Sequence, residues 1–169
     1  LLHWAEVAPD RKWIVERGPD GTWQGPSYGE AAGLIRAIGS ALVAEGLSEE
    51  RPLLILSGNS VAHALMAMAA QHVGVPSAAL APAYATSGGD LAKLRDVVAQ
   101  LTPGMVFAEK AAPFARALAE VIDADVPLVT CEGEVPDRRC LSFDALCQTA
   151  PTPRMEAAHR AVTPDSVAK

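Results

Sequence analysis

Short, continuously apolar runs alternate with stretches of helical period along most of this chain, and that change of period predicts its elements. Pro52-Leu53-Leu54-Ile55-Leu56 has no polar alternation, the pattern of a strand buried on both faces. Residues 77–80, Met105-Val106-Phe107 and Pro127-Leu128-Val129 are shorter runs of the same kind. Between and before them the apolar positions fall at helical spacing. Ser27-Tyr28-Gly29-Glu30 reads as a capping box opening a helix with Ala31, Leu34, Ile35, Ile38 and Leu42 on one face, stopped by Gly46. A second helix spans about residues 61–73 and ends at Gly74. It is apolar nearly all round, so it requires cover on more than one side. A third starts at Asp90, carries Leu91, Leu94, Val97, Val98 and Leu101, and ends in Thr102-Pro103-Gly104, and a fourth covers residues 113–122.

Ahead of this series, Trp13-Ile14-Val15, the turn residues Gly18-Pro19-Asp20-Gly21 and Thr22-Trp23 predict a hairpin over residues 13–23. Strands alternating with helices imply a three-layer α/β fold, a mostly parallel sheet with helices on both faces and right-handed crossovers. Residues 1–130 form this unit. Residues 131–169 read as an irregular connecting segment with a short helical piece at Phe143-Asp144-Ala145-Leu146 and a helical turn or linker over residues 154–160.

The composition narrows the class. The chain has 169 residues, 50% of them hydrophobic and 20% charged, with a formal net charge of −6. Its mean hydropathy is +0.16 and its pI about 5.1. These values describe a globular chain with enough material for a core and exclude disorder and disulfide scaffolds. The acidic balance without a Lys/Arg cluster argues against nucleic acid or anionic membrane as a partner. Three irregularly spaced cysteines predict reduced thiols and a cytoplasmic setting. No Asp, Glu, Lys or Arg occurs between Arg51 and Asp90, but Gly58-Asn59-Ser60, Gln71-His72 and Gly74-Val75-Pro76 break that stretch below membrane-spanning length. The chain opens Leu1-Leu2-His3-Trp4 with no basic region ahead of an apolar run, so no signal peptide is expected in it.

Candidate chemistry is sparse. Ser57-Gly58-Asn59-Ser60 lies between a strand and a helix N-terminus, where backbone N–H groups can hold an anion. It matches neither phosphate-loop pattern, and a tight turn capped by Asn59 or Ser60 is the plainer reading. His63 and His72 are nine apart on one helix, the wrong spacing for a metal-ligand pair. Cys131, Cys140, Cys147 and His159 fit no zinc pattern. Ser87-Gly88-Gly89-Asp90 suits a mobile substrate loop, and better a plain helix cap. No catalytic, cofactor-binding or metal-ligating residue is assigned on this basis.

The order of segments resembles a known superfamily. Pro26-Ser27-Tyr28-Gly29-Glu30-Ala31 is similar to the first core motif of adenylate-forming enzymes, which include acyl- and aryl-CoA synthetases. Ala69-Ala70-Gln71-His72-Val73-Gly74-Val75-Pro76, running on to Pro82, is similar to the second. Ile55-Leu56-Ser57-Gly58-Asn59-Ser60-Val61-Ala62-His63-Ala64-Leu65, with Ala81-Pro82-Ala83-Tyr84, Lys93-Leu94-Arg95 and Leu101-Thr102-Pro103-Gly104-Met105-Val106-Phe107, resembles bacterial feruloyl-CoA synthases.

The resemblance implies the first subdomain of the large N-terminal domain of such an enzyme, cut at both ends. The parent would use ATP, Mg²⁺ and CoA to activate ferulate or another aromatic or fatty carboxylic acid. The phosphate loop and catalytic lysine would lie beyond Lys169, so this segment would be structural, inactive alone and without bound cofactor. Residues near 57–60 and 82–87, Asn59 and Tyr84 among them, would support the site from the sheet edge. Its partners would be the rest of the same polypeptide and, through exposed apolar surface, a second copy. Alternatives are a fatty acyl-CoA ligase, an adenylating enzyme that loads a carrier protein, and a stand-alone flavodoxin-like binding module.

Overall fold

A computed structural model describes residues 1–86 and 90–168. Its centre is a five-stranded, wholly parallel sheet in the order β4-β3-β5-β6-β7: β3 is Leu53–Ile55, β4 Ser77–Ala79, β5 Met105–Phe107, β6 Leu128–Thr130 and β7 Cys140–Ser142. Leu54 stands between Ala78 and Val106, Val106 pairs with Leu128, and Leu128 with Cys140.

The unbroken apolar run of β3 has a direct cause in the layers. Successive side chains of a strand point to opposite faces. Leu53 and Ile55 enter one core with Met105, Phe107 and Val129. Leu54 and Leu56 enter the other with Val106, Ala108 and Leu128. All four β3 and flanking side chains are fully buried, each contributing roughly 1.5–3 kcal/mol of transfer free energy.

The first core is closed by α2 (Tyr28–Ala44), α3 (Val61–His72), α6 (Phe143–Cys147) and α7 (Pro153–Ala161), the second by α4 (Ala92–Leu101) and α5 (Ala115–Val121). The capping box forms as the sequence predicts: Ser27 Oγ accepts from the Glu30 amide at 3.2 Å, and the Glu30 carboxylate accepts from the Ser27 amide at 2.7 Å. No residue of α3 is exposed, so the expected cover on several sides is present. Gly74 follows α3 at φ +71°, a conformation in which L side chains are strained.

Several elements differ from the sequence reading. The hairpin ladder is confined to β1 (Glu16–Arg17) and β2 (Trp23–Gln24), because Trp13 turns inward against the first core while its amide bonds the Pro26 carbonyl at 3.1 Å. A six-residue helix, α1 (Leu2–Val7), precedes it, with the Trp4 and Tyr28 rings 6.0 Å apart. α4 begins at Ala92, two residues after Asp90, whose Oδ1 accepts from the Ala92 amide at 2.9 Å. Residues 113–122 split into a 3₁₀ turn, Ala112–Phe114, and α5.

In residues 131–168, read from the sequence as irregular, the short helical piece expected at residues 143–146 is α6, residues 154–160 lie in a full helix, α7, and β7 is a strand the sequence did not suggest. Thr152 caps α7, accepting from the Met155 amide at 3.2 Å, and Met155 is fully buried in the first core. Arg36 on α2 and Glu156 on α7 form an ion pair. The tail then reaches the free edge of the sheet, where the Ala168 carbonyl accepts from the Ser77 amide of β4 at 3.1 Å.

Candidate functional site

Strand order locates the site. The chain moves from β3 outward to β4, then returns past β3 to β5 and on to β6 and β7. The direction therefore reverses between β3 and β5, and in open α/β sheets ligands favour the crevice outside the carboxyl ends of the strands at such a point. Residues 57–60 follow β3 there, Ala108 follows β5, and residues 80–84 follow β4.

Ser57, at the carboxyl end of β3, is buried, and its Oγ has no hydrogen-bond partner among the described residues. Ser60 is the cap of α3, accepting from the His63 amide at 3.1 Å, as the turn reading expected of Asn59 or Ser60. A second amide of the first turn, that of Val61, donates to the Glu16 Oε2 at 3.0 Å across 45 residues. A helix N-terminus attracts an anion. Here the anion is a carboxylate of the chain's own hairpin, which ties β1 to α3. One amide of this N-terminus is thus already taken by a carboxylate, and no step through ATP is routed to these residues. Among the described residues no group of three His, Cys, Asp or Glu is placed to hold a metal ion.

Tyr84 is exposed in a 3₁₀ turn, Pro82–Tyr84, with the Lys93 ammonium 3.3 Å from its hydroxyl and 4.5 Å from its ring centroid. This is a cation–π contact at an exposed position, worth about 0.5–1 kcal/mol. Of Ser87-Gly88-Gly89-Asp90, the first three lie outside the described residues.

The two histidines of α3 part company. His63 Nδ1 donates to the Gly58 carbonyl at 2.9 Å. His72, in the last turn, stacks on His159 of α7 with ring centroids 3.8 Å apart and planes 17° from parallel. His159 Nδ1 donates to the His72 carbonyl at 2.9 Å, so α7 caps the C-terminus of α3. Burial, then the neighbouring His159, pushes the His72 ring down to about 4, and its buried Nε2 has no partner among the described residues. This pair spans 87 positions and leaves no local signal in the sequence.

The cysteines divide likewise. Cys131 is exposed, and Cys140 and Cys147 are half-buried. Cys131 and Cys140 line one cavity of about 360 Å³ with Thr130 and Ser142, while Cys147 lies elsewhere, its thiol pushed up to about 11 by burial and then by Asp144. Arg138 acts structurally: its guanidinium donates to the carbonyls of Leu118, Ile122, Asp123 and Val126 at 2.7–2.8 Å. Among the described residues no helix is long and apolar enough to cross a membrane.

Comparison with known proteins puts a family on this architecture. No curated protein sequence matches the chain. Among solved structures it is similar to a putative long-chain-fatty-acid CoA ligase from Rhodopseudomonas palustris, with TM-score 0.70 and 17% identity over 90% of this chain and 35% of that one. It is also similar to an acyl-CoA synthetase from Brucella canis (TM-score 0.69, 14% identity, 86% of this chain, 26% of that). A third is a fatty acyl-adenylate ligase from L. pneumophila, solved with acyl adenylate and pyrophosphate (TM-score 0.60, 13% identity, 89% of this chain, 24% of that). The chain thus spans about a quarter to a third of the length of these proteins. At such identities the likeness establishes the fold: a parallel α/β sheet with flanking helices and an antiparallel hairpin, as in the N-terminal domain of adenylate-forming enzymes. The model of the family described as AMP-binding enzyme matches residues 1–168, and the chain belongs to that family.

Proposed function

We propose that this chain is the N-terminal segment of an AMP-forming acid–CoA ligase whose acid is ferulate or a related hydroxycinnamate. The observation that carries the ligase reading is the family match over residues 1–168. The hydroxycinnamate reading rests on the wording of residues 55–65, 81–84, 93–95 and 101–107. In such a ligase a carboxylate attacks the α-phosphate of ATP, releasing pyrophosphate, and the thiol of CoA then displaces AMP from the acyl adenylate. The charge that develops on phosphate calls for Mg²⁺ and preorganised donors.

At the sheet's switch point Glu16 bonds the Val61 amide at the N-terminus of α3, which favours a supporting role for this chain. The β3-β5 crevice, with Asn59 after β3 and Tyr84 after β4, would form a wall beside a site completed by other segments. The sequence places the end of the unit at residue 130, but β7, α6 and α7 complete the same sheet and core, so the proposed unit runs through α7 and the phosphate-binding segment would follow it.

The names of the structural relatives favour a second reading, a fatty acyl-CoA ligase or a fatty acyl-adenylate ligase. A substrate panel separates the two. The product of the whole gene is assayed for acid-dependent AMP release with ferulate, 4-coumarate, benzoate, decanoate and palmitate, each with and without CoA. Ferulate should give the highest kcat/KM and a CoA thioester. Preference for decanoate or palmitate would establish the fatty-acid reading instead. The 169-residue chain alone should exchange no pyrophosphate, and exchange by it would overturn the structural role.

A further inference from the structure

We propose that the groove between the hairpin arm, residues 13–16, and the outer face of α3 binds small neutral molecules that join a planar apolar body to a hydroxyl donor. The groove has a volume of about 620 Å³, within the range of small-molecule sites, roughly 300–1,000 Å³. Trp13 forms one wall, Ala64 and Ala67 give α3 a flat floor, and Met68 offers a polarisable thioether suited to an aromatic edge.

Its polar groups select the ligand's charge. At the α3 N-terminus the Glu16 carboxylate already holds the Val61 amide, so an incoming carboxylate meets a like charge where a helix would otherwise welcome it. His63 lines the same groove. Its Nδ1 faces a carbonyl, which can only accept, so Nδ1 carries the proton, and in that tautomer Nε2 is an acceptor. Among the described hydrogen bonds Nε2 has no partner. An acceptor and a carboxylate together suit a hydroxyl donor and disfavour an acid. The groove is therefore a site for a neutral effector, distinct in charge from the carboxylic acid of the proposed ligase reaction, and it stands whether or not that reaction is the right one.

The test is an NMR titration of the ¹⁵N-labelled 169-residue chain with three molecules of one shape: 4-ethylphenol, ethylbenzene and 4-ethylbenzoate. The phenol should produce saturable shifts at the Trp13 indole N–H and at the amides of Val61, Ala64 and Met68. Half-saturation is expected at about 1 mM or below, the reach of a ligand this small. The benzoate should bind about tenfold more weakly, and Glu16→Gln should narrow that gap. Ala67→Leu, which raises the floor, should weaken the phenol about tenfold while keeping a dispersed spectrum, and this holds the test if Glu16→Gln loosens the hairpin. Absence of saturable shifts, equal binding of benzoate and phenol, or unchanged affinity in Ala67→Leu would each overturn the proposal. So would loss of phenol binding in the product of the whole gene, which would make a further segment of the same polypeptide the occupant.

Discussion

Replacing Ser57 by alanine should make this chain more stable. Ser57 is only 5% exposed, and its hydroxyl has no partner among the described residues. Leaving such a group buried and unbonded costs about 1–3 kcal/mol. Alanine keeps the Cβ and removes the hydroxyl, leaving a void no larger than a methyl group, which costs up to about 1 kcal/mol. The balance is a gain of about 1 kcal/mol, or roughly 2–4 °C in Tm for a chain of this size. Ser40 is the matched control. It is equally buried, but its Oγ accepts from the Thr152 amide at 3.1 Å, so Ser40→Ala leaves that amide unpaired and should lose about 1–2 kcal/mol. Urea unfolding followed by circular dichroism reads both variants, with equal m-values required for the comparison. A loss of stability in Ser57→Ala, or the same sign in both variants, would refute the reasoning. A gain in stability together with slower turnover in the product of the whole gene, assayed for the proposed ligase reaction, would mean that the hydroxyl is retained for a bound ligand.

Two further outcomes follow from side chains that bridge elements. Arg138→Lys keeps the charge but loses the planar fork that reaches four carbonyls around the end of α5, so about 2–3 kcal/mol should be lost in urea unfolding, and a loss under about 0.5 kcal/mol would contradict that role. Acid should loosen the α3–α7 contact: the His72 ring titrates near 4 when folded against an ordinary value of 6.5. The folded chain resists a proton that the unfolded chain takes up, so stability is full above pH 6.5 and falls as pH drops from 6.5 toward 4. The full shift corresponds to about 3 kcal/mol, and solvent screening at a partly exposed pair trims this to roughly 1–2 kcal/mol. Unfolding free energies measured from pH 7 to 4 should lose this slope in His72→Phe, and an unchanged slope would place the acid sensitivity elsewhere.

Most of the sheet was legible because its physics is local. The apolar run at residues 52–56 announces burial on both faces, and Ser27 with Glu30 announces a helix start, each within one turn or one strand of sequence. The elements that escaped notice depend on distant partners. β7 carries no buried residue, only the half-buried Cys140 and Leu141 and the exposed Ser142, so its pattern is that of a loop until β6 lies beside it. α1 has no buried residue and no side-chain cap, and it is held by contacts to α2. By contrast the end of α4 was legible from Thr102-Pro103-Gly104, and Thr102 closes it at φ +45°. Of the candidate site, the turn at residues 57–60 and its capping serine could be read directly. That Glu16 fills the anion position could not, since 45 residues separate donor and acceptor. The His72–His159 stack was hidden for the same reason.

The hydrogen bond from the Ser77 amide to the Ala168 carbonyl bears on what else can pair with the β4 edge. β4 ends the sheet, and an open strand edge is a template onto which another chain can add. The tail after α7 lies across that edge and occupies its first outward amide. The stack of His159 on His72 anchors the helix from which the tail emerges. Anything that frees α7 therefore also uncovers a template, so loosening of that helix and exposure of the β4 edge are coupled in this fold.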